Sequence, residues 1–125
     1  MDIRITNEPA ASGNLSWLGS KHATNDAQTV TLDAKKFAGI DGSYIPSGTP
    51  LKKSEDGKHF EPVAAAGDTL AGFLLTDQPK TDANQIAPMV WHGRIRVARL
   101  PQGAFDVSSL SAVPGAFVLD TAKEA

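Results

Sequence analysis

The sequence predicts a mainly β fold: a small single-domain sandwich or barrel-like structure with an extended N-terminal arm and one short helix near residues 106–113. Three observations predict it. Short runs rich in β-branched and aromatic residues alternate between apolar and polar positions. Gly, Pro, Asn and Asp interrupt those runs at close intervals. No apolar stretch holds a helical period for more than about one turn.

The 125 residues are enough for one domain with one modest core. Apolar residues make up 41% and charged residues 21%, which excludes a disordered composition. A net charge of −2 lacks the basic footprint of a general nucleic-acid binder. With no cysteine, disulfides, thiol catalysis and cysteine zinc sites are excluded. No apolar run reaches membrane-spanning length, so no membrane partner is expected. The first residues lack the apolar centre of a signal peptide, which points to synthesis in a cytoplasm.

Residues 1–27 read as the arm and 28–125 as the β-rich domain. In the arm, Ile3 and Ile5 alternate briefly with Arg4 and Thr6, and turn residues follow. Ser16, Trp17 and Leu18 interrupt this polar run. A tryptophan carries much apolar area and needs a burial site. That site is either the protein's own core or a partner, because aromatics anchor both.

Residues 28–32 alternate as a half-buried strand, with Val30 and Leu32 on one side. Asp33 is placed to cap one helical turn through Phe37, ended by Gly39. The stretch 42–51 then separates the polar beginning from the strong strand signals. Tyr44 and Ile45 favour extended backbone. Pro46 and Pro50 keep the residues before them out of the helical region, and Ser47-Gly48 supplies a turn. Both prolines lack an N–H, so the stretch belongs at a sheet edge or barrel rim.

A hairpin is predicted over 49–63, with a two-residue type I′ turn at Asp56-Gly57. That register sets Lys52 against Glu61 and Lys53 against Phe60, with Leu51 and Phe60 sharing a face. Residues 69–76 are apolar on both faces and read as a central, doubly covered strand. Residues 77–85 read as a loop. Residues 89–100 form the longest strand candidate: Trp91, Gly93, Ile95 and Val97 on one face, His92, Arg94 and Arg96 on the other. Arg99 breaks this alternation. Asp106 caps the short helix, whose Val107 and Leu110 meet at i, i+3 and which ends near Pro114. One more short strand falls at 116–119.

The chain offers no enzyme chemistry. His22, His59 and His92 are isolated, without metal-ligand spacing, so neither a metal nor a cofactor is expected. There is no Gly-x-Ser-x-Gly elbow and no phosphate-cradling Gly-rich loop. The His92, Arg94, Arg96 stripe is either a solvated strand face or a contact for an acidic partner or for nucleic acid; without aromatic residues interleaved on that face, the first reading is the simpler.

Five stretches now stand in order: Ser-Trp-Leu-Gly-Ser-Lys-His (16–22), Thr-Val-Thr-Leu-Asp (29–33), Tyr-Ile-Pro-Ser-Gly-Thr-Pro-Leu (44–51), Leu-Ala-Gly-Phe-Leu-Leu-Thr-Asp (70–77) and Val-Trp-His-Gly-Arg-Ile-Arg-Val-Ala-Arg-Leu-Pro (90–101). The set resembles the head decoration proteins of tailed bacteriophages, particularly those infecting actinobacteria. The likeness covers Ser16 to Pro101, and its specificity lies in order and spacing. It implies a domain related to the lambda-type decoration fold, not an enzyme. Such a protein sits on the outside of the virion's expanded capsid, as a homotrimer at three-fold and quasi-three-fold positions. Its partner is the major capsid protein, its N-terminal arm adds a strand to a capsid loop, and it stabilises the head against internal DNA pressure. On that basis Ile3, Ile5, Ser16, Trp17 and Leu18 are the capsid-binding candidates. Tyr44, Pro46, His92, Arg94 and Arg96 are candidates for a trimer or capsid interface. The alternatives are a β-rich module binding a host-surface glycan, or another structural virion protein.

Overall fold

The computed structural model describes residues 15–19, 24, 26–40 and 42–121. Nine short strands run in the order β1 (Gln28–Leu32), β2 (Tyr44–Ile45), β3 (Pro50–Lys53), β4 (Phe60–Pro62), β5 (Gly72–Leu74), β6 (Gln78–Pro79), β7 (Gln85–Val90), β8 (Gly93–Arg96) and β9 (Phe117–Asp120). Five of them close a barrel in the order β1-β4-β3-β5-β7, and β7 returns to β1. Two two-stranded sheets, β2-β6 and β8-β9, flank it. The mainly β, barrel-like expectation is what the structure shows.

Period-two alternation gives this barrel two cores. Val30, Leu32, Leu51, Phe60, Leu74, Ala87 and Met89 turn inward, and Phe37 and Ile45 complete that cluster. Phe73 and Val90, each one residue away from an inward neighbour, turn outward beneath a second layer. That layer brings Trp17, Val63, Leu70, Ile95, Val107, Leu110 and Phe117 against the barrel's outer wall. The segment 69–76 is covered on both sides, as its apolar faces predict, but the strand proper starts only at Gly72. Leu70 lies before it and joins Phe73, not Leu74.

The hairpin register is as expected: Lys52 opposes Glu61, and Lys53 opposes Phe60. Its turn is longer than the expected two-residue loop. Ser54 N–H donates to His59 O at 2.8 Å, enclosing residues 55–58, and Gly57 N–H donates to Ser54 O at 2.9 Å. The reason is the Asp56 carboxylate, which accepts the Lys58 N–H at 2.9 Å and the Ser54 hydroxyl. Both loops share one centre, so the register survives the change.

The single long strand expected over 89–100 is two strands in different sheets. Residues 85–88, assigned to a loop or left unassigned by the sequence, begin β7, the longest strand. The chain breaks at Trp91-His92. Gly93, at φ +127°, takes a conformation that a side chain would disfavour and turns β8 away from the barrel toward β9. Trp91 and Ile95 therefore share no face: Ile95 is fully buried and Trp91 is exposed. Residues 97–99 form a 3₁₀ turn.

The helix expected near 106–113 is one 3₁₀ turn, Val107–Ser109. Asp106 caps it as predicted, accepting the Ser108 N–H at 3.0 Å. It stops because the Ser111 N–H donates to Ala66 O at 2.8 Å instead of continuing a helix. Asp33 likewise caps Ala34–Phe37, with Ala38 rather than Gly39 closing the turn.

Candidate interaction surface

The candidate residues fall mainly on one side of the second layer. Segment 15–19 lies alongside β8 in antiparallel fashion. Arg96 N–H donates to Trp17 O at 2.7 Å, and Gly19 N–H donates to Arg94 O at 2.8 Å. Leu18 thereby bridges Ile95. Residues 16–17 form a turn, and Leu18 makes a single isolated bridge to the chain's own β8.

Trp17 decides between its two readings. It is 1% exposed and packs on Phe73 with ring centroids 5.6 Å apart. Phe73 in turn meets Phe117 edge-on at 5.2 Å. The indole Nε1 donates to Ser47 Oγ at 3.1 Å, which satisfies the polar end of a buried ring. Trp17 is a core residue, and a docking role for its ring is corrected accordingly. Leu18 is half-buried against the same cluster. Ser16 is half-buried, and its carbonyl accepts from Arg96 Nη1 at 3.4 Å. Ile3, Ile5 and His22 lie outside the described residues.

Ser47, which the sequence marked only as a turn residue, is central to this region. Its hydroxyl accepts from Trp17 and donates to Leu75 O at 2.8 Å, while its N–H donates to Asp77 Oδ1 at 2.7 Å. Gly48 follows at φ +93°, and a Cβ there would stand 2.9 Å from both Trp17 Nε1 and Pro101 Cδ. The 46–49 turn is thus moulded around the tryptophan. Tyr44 stands 50% exposed beside it. Tyr44, Pro46, Asp77, Arg99 and Pro101 line a shallow cavity of about 190 Å³.

Arg94 and Arg96 project outward from β8, opposite buried Ile95, as their alternation predicted. Register places Arg94 beside exposed Val118 and Arg96 beside Asp120 on β9. Arg94 Nε lies 3.8 Å from Asp120 Oδ2. His92 is apart from them, on the bend. Its Nε2 is 3.7 Å from Asp26 Oδ2, and its ring stands edge-on to Trp91 at 4.3 Å. The Trp91 indole donates to Asp26 O at 2.7 Å, fastening the chain ahead of β1 to this bend. The structure therefore joins Ser16, Trp17, Leu18, Arg94 and Arg96 into one neighbourhood. Tyr44 and Pro46 reach it through Ser47, and His92 belongs to a separate contact.

An ion-pair group and a hydrogen-bonded carboxylate lie elsewhere. Lys52 Nζ is 3.1 Å from Asp68 Oδ1 and 3.5 Å from Glu61 Oε1. Asp68 Oδ2 accepts the Ala64 and Ala65 N–H groups at 2.8 and 3.0 Å. Those amides, with the Lys52 ammonium, hold the Asp68 carboxyl below its ordinary range, while Asp68 holds the Lys52 ammonium above its own. The Ser54 hydroxyl and Lys58 amide similarly lower Asp56, on the solvent-exposed turn. Among the described residues, no three acidic, histidine or cysteine side chains are grouped to hold a metal. No described helix is long and apolar enough to cross a membrane.

Comparison with protein-family models, with curated proteins and with solved structures finds no significant match to this chain.

Proposed function

We propose that this protein is a capsid decoration protein. It binds the outer surface of an expanded phage head as a homotrimer at three-fold positions, contacts the major capsid protein, and stabilises the shell against internal DNA pressure. The observation that carries this reading is the order and spacing of the five stretches between Ser16 and Pro101. The fold is compatible with it. A closed barrel whose outer wall carries a second apolar layer is stiff, which suits a structural clamp. Many copies on a symmetric lattice make weak single contacts effective through avidity. The contact reading for Arg94, Arg96, Tyr44 and Pro46 belongs to this proposal, as do Ile3 and Ile5.

The test is co-sedimentation of purified protein with heads that lack it. Saturable binding to expanded heads, and none to unexpanded ones, is the expected result. No binding to either form overturns the proposal.

One observation favours a second reading, a module for host-surface glycans. Tyr44 is half-exposed at the mouth of a cavity that also presents Asp77 and Arg99. An aromatic face flanked by hydrogen-bonding groups is a common way to hold a sugar ring. Specific signal on a cell-wall glycan array, lost in Tyr44→Ala, would establish this reading in place of the first.

A further inference from the structure

The β1–β7 ladder ends where Leu32 pairs with Gln85. Beyond that end the turn Ala34–Phe37 faces the loop that leads into β7, and a cleft of about 520 Å³ lies between them. Its size is that of a small-molecule site, and the end of a barrel is a usual place for one. The walls are tied together. Ala34 N–H donates to Asn84 Oδ1 at 2.9 Å, and the Lys80 ammonium donates to Ile40 O and, at 3.4 Å, to Ala38 O. Lys80 is itself anchored: its N–H donates to Ser43 O at 3.1 Å and extends the β2–β6 ladder. Leu32, Phe37 and Ile45, from the inner core, form the floor. Lys35, Lys80 and Asp82 supply the charged lining.

We infer that this cleft binds a small organic carboxylate, its anionic group held by the Lys35 and Lys80 ammonium groups and its apolar body lying toward the core. The inference goes beyond the decoration reading and does not depend on it. An ammonium carries three N–H donors. On Lys80 two of them go to Ala38 O and Ile40 O, so the third has no protein acceptor among the described residues. The same two bonds hold the ammonium in place before a ligand arrives, which lowers the cost of binding. The Lys35 side chain likewise has no acidic partner among the described residues. Lys52, by contrast, is paired with both Asp68 and Glu61.

Charge selects the class of ligand. Two ammonium groups against the single carboxylate of Asp82 leave the lining with one positive charge in excess. A singly charged carboxylate matches that excess. A phosphate group, with nearly two negative charges at neutral pH, exceeds it and would be repelled by Asp82. The floor of Leu32, Phe37 and Ile45 favours an apolar body behind the charge. A ligand this small binds with a Kd on the order of a millimolar.

The test is an NMR titration of the full chain with benzoate, with its neutral isostere benzamide, and with inorganic phosphate. Benzoate should shift the amide signals of Lys35, Ala38, Lys80 and Gln85 saturably, while benzamide and phosphate at the same concentrations should not. Lys80→Met should weaken benzoate roughly tenfold. That variant also loses the bonds to Ala38 and Ile40. Lys35→Met, at an exposed residue, is therefore the second variant. It should weaken benzoate roughly threefold with an unchanged melting curve. No saturable shift with benzoate would overturn the inference. So would equal shifts with benzamide, shifts centred away from this cleft, or a benzoate affinity that neither variant changes. Phosphate binding as tight as benzoate would overturn the carboxylate assignment.

Discussion

The Trp17 indole and the Ser47 hydroxyl form a buried hydrogen bond, 3.1 Å long, across 30 residues of chain. It ties the segment ahead of the barrel to the turn that opens β3. Replacing Trp17 by Ala removes the largest side chain in the second core and should cost about 3–5 kcal/mol. Ser47→Ala leaves the indole N–H buried without its acceptor and should cost about 1–3 kcal/mol. Urea unfolding monitored by circular dichroism measures both. A loss under about 1 kcal/mol for Trp17→Ala would contradict the packing described here.

Truncation separates two parts of the N-terminal region. Removing residues 1–14 keeps Trp17 and its bonds to Arg96 and Ser47 in place. Removing residues 1–20 takes Trp17 away and should destabilise the domain as much as Trp17→Ala or more. Only the shorter truncation is a clean test of capsid attachment through Ile3 and Ile5. It should abolish head binding without unfolding the protein, and full binding would sink that role.

Three glycines should respond differently to alanine. At Gly57 (φ +74°) the added methyl meets nothing within 4 Å, so only backbone strain of about 1–2 kcal/mol is expected. At Gly48 the same strain is compounded by contacts of 2.9 Å with Trp17 and Pro101. At Gly72 a Cβ would lie 2.4 Å from Val90 O, a backbone atom in a closed barrel. Gly72→Ala should therefore fail to accumulate as folded protein, while Gly57→Ala folds. Soluble yield and thermal melts give the order.

The Asp68 carboxylate makes stability depend on acid. Its folded pKa is lowered from 3.8, so its contribution is present above that value and is lost as pH falls through the lower folded value. Asp68→Asn should lose on the order of 1 kcal/mol at neutral pH. That difference should begin to shrink as pH falls below 3.8, where the unfolded chain takes up the proton, and vanish below the lower folded value, where the folded wild type is protonated too. At the other end, Lys52 is raised from 10.5, so its contribution persists below that value and disappears only at more alkaline pH. Melting curves of both proteins between pH 2 and 7 give the profile. A gap that stays constant through the acid range would refute this account.

Local chemistry was legible wherever a residue's partner lies a few positions away. Asp33 and Asp106 cap turns because a short carboxylate reaches the backbone N–H two residues on, whatever the rest of the chain does. The hairpin register followed because only one alignment sets Leu51 and Phe60 on the same face. That Trp17 needs a burial site was legible. Where it goes was not, since a core and a partner surface offer the same apolar burial.

The sequence by itself determined a β-rich domain, the alternation of β1 and of the β3–β4 hairpin, and the turns at Gly48 and Gly57. Only the tertiary structure decided that β7 and β8 part at Gly93, that Leu18 bridges to β8, and that Ile86 stays uncovered on the strand that buries Val90. Alternation has a period of two residues and is set within the strand. Which neighbour covers each face depends on contacts between residues far apart in the chain, such as Trp17 with Phe73 and Ser47. No local pattern encodes them.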